Sequence, residues 1–339
     1  MKIEDIRISG FKSIGDITLS NPNPFSVFVG PNAAGKSNIF EALELLSLCN
    51  IMDPSEATSL FGSSNDLLNQ NFNSQQQESS IQFEVNLGSI NPTLSIYFVG
   101  FNGKIGRTSI SDFGSKSYTK EGSYNHLKDQ NYIQFSNFTR LFTGKESIVK
   151  RKIIDDTKLA IDGSNLEKVL KRILKEKKKR DEILEILQLL IPGFDNIEIK
   201  TEELSGSDNL LIFEESLNKP LPKRLISDGT YNIIAIIAAL YQSDTPQFLC
   251  IEEPENGLNP KVVKQLVSIL RDKCKEEGHY IWLNTHSQTL VAELQPEEII
   301  LVDKVNGLTQ VKQIADMDLH GMKMDEALLT NTLGGGIPW

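Results

Sequence analysis

Short blocks of period-two apolar residues alternate along this chain with longer blocks whose apolar positions recur at helical spacing. Residues 1 to 29 read as three strands. Lys2 to Ser9 sets Ile3, Ile6 and Ile8 among polar neighbours, and Ile14 to Leu19 repeats the pattern more weakly. Phe25 to Val29 is a dense aromatic and β-branched run that fits a buried central strand. After Gly35, the residues Ile39, Phe40, Leu43, Leu46 and Leu48 form the stripe of an amphipathic helix. Residues 62 to 80 are polar, with Gln75-Gln76-Gln77 among them, and read as a surface loop. Strand patterns return at Ile81 to Leu87, Thr93 to Val99 and around Tyr132 to Phe135, which predicts an antiparallel portion inserted after the first helix.

Residues 164 to 190 carry a helical pattern from Leu166, Val169, Leu170, Ile173 and Leu174 to Ile183, Leu184, Leu187 and Leu190, stopped by Ile191-Pro192-Gly193. The segment is far too short for long coiled-coil arms. Its charge run, Lys175 to Arg180, suits either a solvated helix face or a nucleic-acid contact. From about residue 220 the pattern is α/β again: a helix at Ile233 to Tyr241, a strand at Gln247 to Ile251, an amphipathic helix at Lys261 to Glu277 and a strand at Tyr280 to Asn284.

Composition narrows the class. The 339 residues, 39% of them hydrophobic, are enough for a sizeable core without disulfide or metal staples. A net charge of −10 removes any global pull toward nucleic acid, so such a contact would need a local basic face. Cys49, Cys250 and Cys274 are widely spaced, without metal-ligand rhythm, and fit free thiols in a reducing compartment. Met1 to Asp5 has acids and no signal-peptide apolar core, and no apolar run approaches the roughly 18 residues of a membrane helix. A cytoplasmic location and no membrane partner are expected.

Four segments carry chemistry. Gly30-Pro31-Asn32-Ala33-Ala34-Gly35-Lys36-Ser37 matches G-x-x-x-x-G-K-[ST], preceded by a strand and followed by a helix that opens through Asn38. Its glycines let the backbone curl so that successive N–H groups surround phosphate oxygens at a helix N-terminus. Lys36 is expected on the β- and γ-phosphates and Ser37 on Mg²⁺. Phe248 to Glu253 is an apolar strand ending in two acids; Glu252 is expected on the metal and Glu253 as the base that activates water. Leu225 to Thr230 precedes a helix, and Ser227, Asp228 and Gly229 suit either an anion site or ordinary turn and cap chemistry. Ile281 to Ser287 is a strand that delivers His286 as a candidate γ-phosphate sensor. The histidines His126, His279 and His320 have no such setting.

Together these segments resemble the ABC-type ATPase superfamily, in the branch that includes RecF, SMC and OLD-family proteins. The family order of Walker A, signature, Walker B, D-loop and His switch matches Gly30–Ser37, Ser227–Thr230, Phe248–Glu253, Gly257–Pro260 and His286. Ile8-Ser9-Gly10-Phe11-Lys12-Ser13-Ile14 is similar to the start of those ATPase heads. Glu252 to Pro260 is similar to a motif of the compact prokaryotic AAA-21/OLD-like group. Glu252 stands where Asp is usual, and Asn259 where His is often found. Roughly residues 1–50 and 220–303 carry the likeness.

The resemblance implies an α/β P-loop NTPase of ABC type: a mixed sheet core, an antiparallel β portion and an inserted helical lobe. One ATPase domain is expected over 1–339, with a nucleotide-binding core at 1–60 and 220–303. An inserted lobe would span 61–219 and an extension 304–339. It further implies ATP and Mg²⁺ as cofactors, and a head-to-tail homodimer or higher oligomer in which Ser227 to Gly229 of one copy cover ATP on another. Gln134 is one of several glutamines suited to a metal-sensing Q-loop. No metal-carboxylate cluster of the TOPRIM kind follows Asp303, so an effector such as a nuclease is expected as a separate chain. Leu333 to Trp339 would either dock that partner or fold back. Expected roles are a switch for nucleic-acid-directed repair or phage defence, or alternatively a nucleotide-dependent scaffold with little hydrolysis. The segment Leu225 to Thr230 lacks the Leu-Ser-Gly-Gly-Gln of transporter subunits, and a P-loop kinase has no use for the later motifs.

Overall fold

The computed structural model describes residues 2–49, 52, 54–69, 79–86, 94–101, 104–105, 109–112, 116–119, 137–142, 156–315, 317 and 322–330. Of the loop expected at 62–80, residues 70–78 lie outside these; Ser64–Leu67 instead forms a short helix, tied back by Ser63 N–H donating to Asp66 Oδ2 at 2.8 Å, and Ser79 and Ser80 already belong to a strand. The strand at Tyr132 to Phe135, Gln134, His126, His320 and the tail Leu333 to Trp339 also lie outside the described residues.

In chain order, β1 (Asp5–Ser9), β2 (Asp16–Ser20) and β3 (Phe25–Val29) precede α1 (Lys36–Cys49), α2 (Pro54–Ser59) and α3 (Ser64–Leu67). Strands β4 (Ser79–Asn86), β5 (Leu94–Phe101), β6 (Lys104–Ile105), β7 (Ser109–Asp112), β8 (Lys116–Thr119) and β9 (Phe138–Leu141) follow. Next come α4 (Leu166–Ile173), α5 (Lys177–Leu190), β10 (Phe194–Thr201), β11 (Asp208–Glu214) and β12 (Leu221–Pro222). The remainder is α6 (Asp228–Tyr241), β13 (Phe248–Glu252), α7 (Pro260–Glu277), β14 (Tyr280–Thr285), α8 (Gln288–Val291), β15 (Ile299–Val305), β16 (Leu308–Gln313) and α9 (Met324–Leu329).

Two compact units emerge, the first made of Met1–Phe138 with Trp282–Trp339, the second of Thr139–Ile281. In the first, the antiparallel sheet runs β2-β1-β4-β5-β6. Ile6 and Ile8 of β1 face Leu19 and Ile17 on one side and Val85 and Phe83 on the other. The antiparallel portion expected after the first helix therefore incorporates the two N-terminal strands, because their buried faces need the period-two face of β4. The same unit holds a mixed arrangement in which β3 pairs parallel with β15, and β15 antiparallel with β16. All five residues of β3 are buried, including Ser26, whose hydroxyl donates to the carbonyl of Asn23 at 2.7 Å. Trp282 of β14 is buried against Phe28 with ring centroids 5.3 Å apart, and Phe28 meets Phe40 of α1 edge-on at 5.4 Å.

In the second unit, β13 lies beside β9 and is buried along its whole length. The helix α6 buries Ile233, Ile234, Ile236 and Ile237, apolar on all sides. Helix α7 starts at the cap Asn259, whose side chain accepts from Val262 N–H, with Pro260 next, and ends at left-handed Gly278. The helical pattern at 164–190 is two helices, broken at Leu174 to Glu176. The charge run opens α5, where four basic residues oppose the helix dipole. Lys179 answers this in part through Glu176 at 3.1 Å and Asp244 at 2.5 Å. Lys175, Lys177, Lys178 and Arg180 are exposed, consistent with a solvated face. The three cysteines are buried free thiols, and among the described residues no helix is long and apolar enough to cross a membrane.

Candidate functional site

The phosphate-loop sequence lies in the first unit, between β3 and α1. Ala33 (φ 65°) and Gly35 (φ 106°) both take left-handed backbone, separated by Ala34. Alternation of this kind turns N–H groups to one side and makes an anion-binding concavity at the start of α1. The glycines are sterically required. A Cβ on Gly30 would sit 2.0 Å from the carbonyl oxygen of Val302 in β15, and one on Gly35 would sit 2.0 Å from Thr309 Oγ1. Lys36 is buried and donates to the carbonyls of Gly30 at 2.6 Å and Pro31 at 2.9 Å. Asn32 and Ala33 are exposed at the loop tip, and Ser37 and Asn38 are half-buried.

A polar prop beneath the loop went unseen in the sequence. Thr309 of β16, 1% exposed, donates from Oγ1 to the carbonyl of Ala34 at 2.9 Å and lies 2.6 Å from Ser13 Oγ. Its N–H donates to the carbonyl of Ser13 at 2.7 Å, and Asn38 Nδ2 donates to Ser13 Oγ at 2.7 Å. The N-terminal Phe-Lys-Ser stretch and the β15–β16 hairpin thereby hold the loop from two sides. Lys12 forms an ion pair with Glu41 of α1. A threonine inside an alternating strand gives no sequence signal for this role.

The second unit gathers the acidic pair, the signature segment and the D-loop. Glu252 ends β13, and its side chain is 2% exposed. Arg140 of β9 donates from Nε to Glu252 Oε1 at 2.5 Å, and its Nη2 lies 2.5 Å from the same oxygen. Glu253 takes left-handed backbone, φ 47°, a strained choice for a non-glycine residue and typical of functional sites. Its carboxylate accepts from Asn256 Nδ2 at 2.9 Å, and its carbonyl from Asn256 N–H at 3.1 Å. Asn232, the polar residue within apolar α6, donates to the carbonyls of Pro254 at 3.0 Å and Asn256 at 3.3 Å. That lone amide in an apolar helix was a readable signal.

Gly229 packs directly on Gly257. A Cβ on Gly229 would lie 2.3 Å from the Gly257 carbonyl oxygen. Ser227 caps α6 by accepting from Thr230 N–H at 3.1 Å, the cap chemistry that was one of its two readings. Ser227 and Asp228 remain exposed. Asn259, where the family often has His, is the N-cap of α7, and asparagine is among the best residues for that position. In the first unit, His286 follows β14 and is exposed.

These residues fit the implied cofactors. The concavity at Ala33 to Lys36 suits phosphate, and hydroxyl and carboxylate oxygens such as those of Ser37 and of Glu252 are each the donor type a hard cation takes. Among the described residues no three His, Cys, Asp or Glu side chains cluster for a metal. Mg²⁺ in proteins commonly keeps several waters and binds through one or two carboxylates with substrate phosphates.

A parallel strand ending in a phosphate loop, a capped signature helix and a buried acidic strand, in this order, define an ABC-type ATPase of the RecF/SMC branch. A family model matches residues 25–292, and the chain belongs to that family, described as "AAA domain, putative AbiEii toxin, Type IV TA system". It is 22% identical over 326 residues to an "ATP/GTP phosphatase" of Helicobacter pylori, covering 85% of this chain and 86% of that protein. It is 29% identical over 102 residues to a "Putative ABC transporter ATP-binding protein" of Pyrococcus abyssi, 30% of this chain and 38% of that one. The chain thus spans well under half of the latter's length. A solved SMC head bound to the C-winged helix domain of ScpA superposes with a TM-score of 0.60 at 17% identity, over 95% of this chain and all of that one, which shows the fold.

Proposed function

We propose that this chain binds ATP with Mg²⁺ and hydrolyses it as a dimerisation switch. The observation that carries the reading is the concavity at Ala33 to Lys36, locked by Thr309 and Ser13 at the head of α1. In this reading the loop N–H groups and Lys36 hold the β- and γ-phosphates, and Asn38 anchors the first turn. Ser37 and Glu252 are the residues assigned to the cation, which would supply charge neutralisation on the phosphates. Glu253 takes the proton of the attacking water, its carboxylate oriented by Asn256, and His286 polarises the γ-phosphate. A single copy carries one of each motif. The exposed Ser227 and Asp228 support a head-to-tail homodimer, or a higher oligomer, in which they cover the nucleotide of another copy. The switch would govern a separate effector, such as a nuclease, in nucleic-acid-directed repair or phage defence in the cytoplasm.

A second reading is a nucleotide-dependent scaffold with little hydrolysis. The grip of Arg140 on Glu252 favours it, because the acid expected beside the metal already holds a cation. Phosphate release from wild type and Glu253→Gln separates the two. A switch predicts measurable turnover in wild type and a loss of at least about a hundredfold in the variant. Equal, near-zero rates in both would sink the enzyme reading and leave the scaffold.

A further inference from the structure

The strand β9, Phe138 to Leu141, is buried throughout and apolar except for Thr139 and Arg140. A guanidinium in such a strand is costly to desolvate unless it meets a fixed acid. The acid it meets is Glu252, and both contacts fall on one carboxylate oxygen, Oε1, at 2.5 Å. Its neighbour Thr139 accepts at Oγ1 from Gln242 Nε2 at 2.9 Å. Gln242 closes α6, the helix whose other end is capped by Ser227. Its side-chain oxygen accepts from Leu159 N–H at 2.7 Å, and its carbonyl from Arg172 Nη2 at 2.7 Å. The cation on Glu252 is thus wired through one strand to the far end of the signature helix.

We infer that Arg140 is a positioning residue that competes with the divalent cation for Glu252. The inference rests on the reading of Glu252 as the acid beside the metal. Two cations drawing on one carboxylate each weaken the other's hold, whichever oxygen each takes. A charge at this range shifts the affinity of a carboxylate for its cation by tenfold or more, judging from the roughly 1–3 units by which neighbouring charges move proton affinity. Cation binding with nucleotide is therefore expected to loosen the contact of Arg140 with Oε1. Because Thr139 and Arg140 are adjacent, that release is felt at Gln242 and along α6. The same pair would set how much Mg²⁺ the site needs and report its arrival to the segment proposed to cover a second copy's nucleotide.

The test is binding of a fluorescent ATP analogue to the full chain, titrated with Mg²⁺ upward from EDTA, in wild type, Arg140→Gln, Arg140→Lys and Glu252→Gln. Retained affinity in EDTA certifies a folded nucleotide site. In wild type, Mg²⁺ strengthens binding, and Glu252→Gln weakens that response. Arg140→Gln is expected to lower the Mg²⁺ midpoint about tenfold. Arg140→Lys keeps the charge but loses the two-point grip, so its midpoint falls by less. An unchanged or higher midpoint in either variant that keeps its EDTA affinity overturns the inference. Should Arg140→Gln lose affinity in EDTA, the lysine variant decides alone by the same criterion. If wild type and Glu252→Gln respond identically to Mg²⁺, the reading of Glu252 itself fails, an outcome distinct from unshifted Arg140 variants beside a normal Glu252 response.

Discussion

Replacing Thr309 with valine removes one hydroxyl and almost no volume, so its consequences follow from hydrogen bonding alone. The hydroxyl donates to the carbonyl of Ala34 at 2.9 Å and lies 2.6 Å from Ser13 Oγ. Ser13 keeps the amide of Asn38 at 2.7 Å, so its loss is partial. The Ala34 carbonyl loses a buried donor, which costs about 1–3 kcal/mol. With about 2 kcal/mol as the working figure, a unit of this size should melt about 4–8 °C lower in the transition that unfolds it. The left-handed residues Ala33 and Gly35 flank the released carbonyl, so the loop is also less preorganised. Binding of an ATP analogue should weaken by several-fold, up to about tenfold. Scanning fluorimetry and an equilibrium titration read both quantities. Pairing the change with Ser13→Ala should be less than additive, since the two residues share one contact. A valine variant that melts within about 1 °C of wild type and binds the analogue equally would refute the claim that this prop holds the loop.

Two further outcomes follow from the same kind of reading. Gly229→Ala would drive a Cβ to 2.3 Å from the Gly257 carbonyl oxygen, backbone against backbone. It should destabilise the second unit by about 1–3 kcal/mol and shift the D-loop beside Glu253, and a variant with unaltered melting and turnover would contradict that packing. His279 is buried, which holds its imidazole below the ordinary value of 6.5 despite the opposing charge of Glu277. Its Nδ1 accepts from Gln247 N–H at 3.3 Å, as a neutral ring does. The unfolded chain therefore binds the proton first. The contribution of His279 to stability is complete above about 6.5 and declines as pH falls from there through the folded value. Wild type should lose more melting temperature than His279→Gln between pH 7.5 and 5.5, and parallel losses would remove this assignment.

Much of the architecture was legible because it is local. Helix and strand periods depend on neighbours a few positions away, and β3, α1, β13, α7 and β14 fall within a residue or two of where their patterns put them. The break between α4 and α5 was not legible, because nothing in the pattern separates one long helix from two short ones. The hairpin β10–β11 and strand β16 were also missed, since their half-buried residues alternate weakly, whereas the apolar run Ile299 to Val302 of β15 did carry a buried-strand signal.

The phosphate loop is the clearest case of what the sequence alone determined. Its glycines, lysine and serine are spaced by the geometry of one turn of backbone, so eight consecutive residues were sufficient. What holds that turn was decided by the tertiary structure, through a hydroxyl 275 positions away at Thr309. The acids of β13 tell the same story, for Glu252 and Glu253 are readable as a pair while Arg140, 112 positions earlier, is not. A lone arginine in a short apolar strand has no partner until the strand is laid beside another. Contacts of this kind depend on which strands become neighbours, and that choice is made by burial of the whole core.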